Sequence, residues 1–171
     1  MADDAQSVRE IRINPIVPTE SVLVATARGM RPKKAEEAAP RDTRARVDTC
    51  PFCRGNEDRT PPEISRMPAE GDWDVRIVPN LYPVLGDDRT QTNLAFGLQQ
   101  VIDGYGRHEV IIDHPNHGIA LHEMSEEHLA TLFGVYRQRM ADLYASDSRL
   151  QVRAGLQEFR PGCREPASRT P

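Results

Sequence analysis

The 171-residue chain lacks any apolar run near the roughly 20 residues a membrane-spanning helix needs, which excludes a helical integral membrane protein. Aromatic residues make up only 5% and hydrophobic residues 38%, so a modest core carrying long irregular loops is expected, and fourteen prolines strengthen that reading. Disorder is excluded by several strongly periodic segments. A basic excess is also missing: the net charge of −4 argues against a general nucleic-acid binder, although local basic clusters can still hold a phosphate. Cysteine is scarce. Three residues, two of them in a C-x-x-C, suit a reducing compartment and a metal better than a disulfide framework. The start, Met1-Ala2-Asp3-Asp4, has neither a basic stretch nor an apolar stretch of the secretory kind, so the cytoplasm is the expected location.

What is present falls into punctuated segments. Residues 10–13 and 21–26 read as extended, and Val22-Leu23-Val24-Ala25 has the continuous apolar look of a buried strand. A basic loop, residues 28–34, follows, and residues 35–48 read as a mobile connection without a clear face. Trp73 to Pro79 alternates with period two, which predicts a strand with one buried face ending in the rigid turn Pro79-Asn80-Leu81-Tyr82-Pro83. Residues 86–103 are polar and carry no clear period. Glu109-Val110-Ile111-Ile112-Asp113 is a convincing strand, broken by Pro115-Asn116-His117-Gly118. Ser125 then predicts an N-cap, with Glu126 and Glu127 where the helix dipole favours acids. Leu129, Leu132, Phe133, Tyr136, Met140, Leu143 and Tyr144 follow in one apolar stripe, read as core.

Cys50-Pro51-Phe52-Cys53 opens a compact knuckle whose two thiolates can grip one tetrahedral ion. A lone C-x-x-C leaves three readings open: zinc, a redox pair, and two cysteines that merely pack. The redox reading wants the motif at a helix start after an apolar strand, and residues 44–49 are not one. A knuckle needs further ligands. His117, between Asn116 and Gly118 in a tight turn, is the best third ligand and His114 the runner-up, while His122 and His128 read as solvated surface residues.

Taken together, L-V-A-T-A-R-G-M-R-P (23–32), C-P-F-C-R-G-N-E (50–57), T-P-P-E-I (60–64), W-D-V-R-I-V-P-N-L-Y-P (73–83) and G-Y-G-R-H-E-V-I-I-D-H-P-N-H (104–117) resemble the N-terminal half of galactose-1-phosphate uridylyltransferase. The resemblance implies an α+β fold of the histidine-triad superfamily: an antiparallel sheet with packed helices, incomplete at the C-terminus. It implies a ping-pong transfer of UMP between UDP-glucose and a hexose 1-phosphate in galactose metabolism, through a covalent uridylyl-histidine, in a homodimer. Carried onto this chain, it makes Cys50, Cys53 and His117 zinc ligands. Arg28, Gly29, Met30 and Arg31 would line the nucleotide-sugar site, where guanidinium forks match phosphate oxygens. Asn80 and Leu81 would contact the uridine side. Alone, the arginines read as surface charges and Asn80 as a turn former.

The chain departs from the family after residue 152. The family continues to an H-x-H motif, whose first histidine is the fourth zinc ligand and whose second is the nucleophile. Here no histidine follows His128, and residues 153–171 are rich in arginine and proline. Re-reading the codons of residues 164–171 from the third base permits G-A-S-L-A-H-P, which resembles the family's approach to that motif. The expectation is therefore a partial N-terminal domain over residues 1–152, a frameshifted tail over 153–171 with no metal role for Cys163, and a chain inactive alone. Two rivals are a related nucleotide phosphorylase or hydrolase, and a non-catalytic zinc-knuckle module.

Overall fold

A computed structural model describes residues 8–30, 42–90 and 92–150, with only the backbone of Met30. Arg31 and the tail beyond Leu150 lie outside the described residues. The elements, in chain order, are β1 (Arg9–Ile13), β2 (Ser21–Ala25), β3 (Ser65–Met67), β4 (Val75–Pro79), β5 (Asn93–Phe96), β6 (Gln99–Asp103), β7 (Glu109–Ile112) and α1 (Glu126–Ser146), with 3-10 turns at Thr26–Met30, Glu57–Arg59 and Leu121–Glu123. This is the expected α+β arrangement of antiparallel strands and a packed helix. No helix among the described residues is long and apolar enough to cross a membrane. The chain divides into two units, residues 1–33 with 79–109 and residues 34–78 with 110–171.

The first unit is a four-stranded sheet of order β2-β1-β6-β5. Ile11 sits opposite both Leu23 and Ile102, and Asn93 pairs with Ile102, so one face collects aliphatic side chains across three strands. Two expectations fail here. β2 is no buried strand, since Val22 is 64% exposed; it lies at the sheet edge, where its apolar run covers half a face at most. Residues 93–103 form a hairpin that the sequence pattern hid. Its strands carry Asn93, Gln99 and Gln100 and expose most of their surface, so neither a period of two nor an apolar run marks them.

The second unit is built on a three-stranded sheet of order β3-β4-β7. Its core has two parts. Trp73, Val78 and Ile112 pack with Phe52 and Val110. Val75, Met124 and Leu132 pack with Ile111, Leu129 and Tyr136. β4 is buried on both faces, not on one. Arg76 breaks the predicted alternation: it is only 3% exposed and survives burial because Glu63 Oε2 accepts from its Nε at 2.6 Å and Thr60 Oγ1 from its Nη1 at 3.0 Å. The helix begins where predicted, with Ser125 Oγ accepting from His128 N at 3.2 Å. Its apolar stripe is only partly core, for Leu132 is fully buried whereas Phe133 is 52% and Met140 43% exposed.

Candidate metal centre

The knuckle is a chain of turns that the backbone closes on itself. Cys50 N donates to Val47 O at 3.1 Å, Cys53 N to Cys50 O at 3.4 Å, and Asn56 N to Cys53 O at 3.1 Å. Phe52 N also donates to Cys50 Sγ at 3.4 Å, which steadies the sulfur. Asn56 braces the loop from inside: nearly buried, it donates from Nδ2 to the carbonyls of Cys50 at 2.7 Å and Val47 at 3.2 Å. Its sequence signal is slight, an asparagine beside Gly55 that looks like any turn residue. Glu57 ties the knuckle to the core, accepting from Gly55 N at 3.0 Å and from Trp73 Nε1 at 2.7 Å. The guanidinium of Arg54 lies over the Trp73 ring, 5.7 Å from its centroid. Neither cysteine is in a disulfide and both lie on turns, not at a helix start, so the placement a thioredoxin-type pair needs is absent here.

His117 reaches the knuckle from the loop after β7. Its N donates to Ala45 O at 2.8 Å. Gly118 next to it has φ +88°, and a Cβ there would lie 2.4 Å from Asp42 O, so only glycine lets the two backbones meet. Residues 42–47, expected to be a mobile connection, are thus a wall of the site, with Val47 buried at 3% exposure beside both cysteines. The ligand-capable atoms of Cys50, Cys53 and His117, all three buried, lie within 4.8 Å of one another. His117 Nδ1 is 3.4 Å from Cys53 Sγ. A tetrahedral ion with metal–sulfur bonds of about 2.3 Å and metal–nitrogen bonds of about 2.05 Å spans a sulfur–nitrogen edge of about 3.6 Å. The donor set and the spacing fit such an ion. Burial pushes the Cys53 thiol up; a backbone contact from Val47 opposes this, and the neighbouring Cys50 adds to it. Burial and the neighbouring sulfur thus favour the protonated thiols, and a cation between the two sulfurs would offset the charge of the thiolates.

The other histidines divide differently from expectation. His114, the runner-up ligand, stands outside the group; its Nδ1 accepts from Asn116 N at 3.0 Å. Burial and then the neighbouring His128 depress its pKa. His128 is no solvated surface residue: its Nε2 is 2.7 Å from Asp113 O, and its ring lies 4.5 Å from that of His114. His122 is exposed, as read.

Of the predicted nucleotide-sugar residues, Arg28, Gly29, Asn80 and Leu81 belong to the other unit. Arg28 and Gly29 lie in the 3-10 turn Thr26–Met30, the arginine half-buried and the glycine exposed with open space where a Cβ would be. Asn80 N donates to His108 O at 3.0 Å, and Asn80 Oδ1 accepts from Tyr82 N at 2.9 Å. The side-chain acceptor is thus engaged by the turn itself, as the bare sequence suggested. Asn80 Nδ2 sits 3.2 Å from His108 Nε2, while His108 Nδ1 accepts from Val84 N at 3.0 Å. Leu81 is 68% exposed. Neither His108 nor Asp42 carried a signal that would have singled it out.

Residues 1–153 match the family described as galactose-1-phosphate uridyl transferase, N-terminal domain. The chain belongs to this family. The motif resemblance and the match agree, and the family is one of nucleotidyl-transferring enzymes that includes phosphorylases. A curated relative, ADP-glucose phosphorylase of Arabidopsis thaliana, is 31% identical over 142 residues, covering 81% of this chain and 40% of that protein. The chain therefore spans well under half the length of that relative. Among solved structures, the crystal structure of an ADP-glucose phosphorylase from Arabidopsis thaliana with bound ADP-glucose is 28% identical at a TM-score of 0.49, covering 81% of this chain and 39% of that one. A uridylyltransferase structure is 27% identical at a TM-score of 0.47, covering 77% and 35%.

Proposed function

We propose that this galactose-1-phosphate uridylyltransferase-family chain is the zinc-holding, nucleotide-sugar-binding part of a nucleotidyltransferase, and that residues 1–152 make up that domain. The observation that carries the zinc reading is the meeting of Cys50, Cys53 and His117 ligand atoms within 4.8 Å in a buried turn. Bound there, zinc supplies a structural cross-link, closing the knuckle onto the loop after β7. Arg28 and Arg31 grip the diphosphate as permanent cations, and the turn at Asn80 and Leu81 meets the nucleoside. The reaction proposed is transfer of UMP from UDP-glucose to a hexose 1-phosphate in galactose metabolism, in a cytoplasmic homodimer. The 171 residues contain no H-x-H, and among the described residues three side chains, Cys50, Cys53 and His117, can share one ion. Purified protein then holds less than one equivalent of zinc, and residues 153–171 are a non-family tail. The gene sequence beyond codon 152 tests the tail: an intact frame with no H-x-H downstream would end the frameshift idea.

One observation favours a second reading. The relative that is 31% identical is named an ADP-glucose phosphorylase, which makes ADP-glucose the donor and inorganic phosphate the acceptor. Calorimetric titration of zinc-loaded protein with UDP-glucose and ADP-glucose separates the two. Tighter UDP-glucose binding supports uridylyl transfer, and tighter ADP-glucose binding supports the phosphorylase. Zinc bound with no affinity for either nucleotide sugar would leave a non-catalytic knuckle module instead.

A further inference from the structure

The imidazole of His117 has two nitrogens, and a metal held with Cys50 and Cys53 would use one. Its side chain is 0% exposed, so the second nitrogen cannot turn to water. That atom, Nε2, has no hydrogen-bond partner. It does have an anion beside it: Asp42 Oδ2 lies 3.5 Å away, longer than a normal N–H···O bond but within ion-pair distance. A buried N–H left without an acceptor is costly, and among the described residues the carboxylate of Asp42 is the one that faces this ring. Among the described residues the atoms that can share one ion belong to Cys50, Cys53 and His117, and Asp42 lies outside that group.

The carboxylate is held in place from its own side. Arg44 donates to it from N at 3.1 Å, from Nε at 2.9 Å and from Nη2 at 2.6 Å. The same short segment is fastened to the histidine loop through Ala45 O, which accepts from His117 N at 2.8 Å, and through the close approach of Asp42 O to Gly118. Backbone and side chain thus present one carboxylate to one ring edge. A carboxylate on Nε2 selects the tautomer with the proton there, which leaves the lone pair on Nδ1, the nitrogen 3.4 Å from Cys53 Sγ.

We propose that Asp42 is a positioning residue of the metal centre, accepting the Nε2 proton of His117 and thereby aiming Nδ1 at the ion shared with Cys50 and Cys53. This rests on the zinc reading above and goes beyond it by adding a residue outside the ligand set. Losing such an outer carboxylate typically weakens metal binding about 10–100-fold.

The test measures zinc dissociation constants of the full chain by competition with a chromophoric chelator. Asp42→Ala should weaken zinc by about 10–100-fold, and Asp42→Asn, which keeps an acceptor but no charge, should fall between it and wild type. Asp48→Ala removes an acid that is 91% exposed and paired with Arg46, and it should leave the constant unchanged. Nitrogen-15 NMR of zinc-loaded wild type should show His117 protonated at Nε2. An Asp42→Ala constant within about twofold of wild type, or an equal loss in Asp48→Ala, overturns the proposal while leaving the zinc site standing. A wild-type protein that binds no zinc overturns both. Should Asp42→Ala fail to fold, the NMR decides alone, and a His117 without a proton on Nε2 refutes the assignment.

Discussion

Gly118→Ala tests whether residues 42–47 are a wall of the site. The glycine has φ +88°, a region that costs an alanine about 1 kcal/mol. The added Cβ would lie 2.4 Å from Asp42 O and 2.9 Å from Thr43 Cα, where ordinary contact begins at 3.4 Å. One of the two backbones must move by about an ångström, and such overpacking costs about 1–3 kcal/mol more. The expected total is about 2–4 kcal/mol, a large part of the roughly 5–15 kcal/mol that stabilises a domain. Gly71→Ala is the control, since φ there is +76° with nothing within 4 Å, so it should cost only the backbone share of about 1 kcal/mol. Urea unfolding of both variants measures the difference, and zinc affinity should fall in Gly118→Ala alone. If Gly118→Ala costs no more than Gly71→Ala, residues 42–43 do not press on the histidine loop and the reasoning fails.

Other outcomes follow from the same packing. Leu132→Ala empties a fully buried position and should cost about 2–5 kcal/mol by denaturant unfolding, whereas Met140→Ala, 43% exposed in the original, should cost much less. Ser125→Ala removes the N-cap acceptor of α1 and should cost about 1 kcal/mol. Glu63 is held below the ordinary carboxylate value of 4.5, first by Arg66 and, against an opposing push from burial, by Arg76. Its stabilising contribution is therefore complete above that value and lost as pH falls through the lower folded value. Glu63→Gln should flatten the decline of stability on acidification below about pH 4.5, and an unchanged slope would show the pair to be incidental. Incubation of the chain with UDP-glucose should yield no covalent UMP adduct by mass spectrometry; an adduct would mean the nucleophile lies within these 171 residues.

The parts that could be read from sequence were those with a local physical signature. Ser125 followed by two acids and a three-to-four-residue apolar repeat marks a helix start because capping and dipole act within one turn. Cys50 and Cys53 show a ligand pair because a tight turn alone sets their spacing. The β5–β6 hairpin escaped because Gln99, Gln100 and Asn93 are polar on both faces. β4 misled because Arg76 is neutralised by Glu63 and Thr60, partners 13 and 16 residues away. Asp42 and Ala45 join the site through contacts with His117 and Gly118, more than 70 residues along the chain, and no spacing rule reaches that far.

The central claim is that two thiolates and one imidazole share a metal ion. The most direct measurement is cobalt(II) titration of the metal-free chain, followed by absorption spectroscopy. The account predicts sulfur-to-cobalt charge-transfer bands with the intense visible bands of a tetrahedral site, abolished by Cys50→Ser and weakened or shifted by His117→Ala. A spectrum without sulfur charge transfer, or one indifferent to His117→Ala, would contradict it.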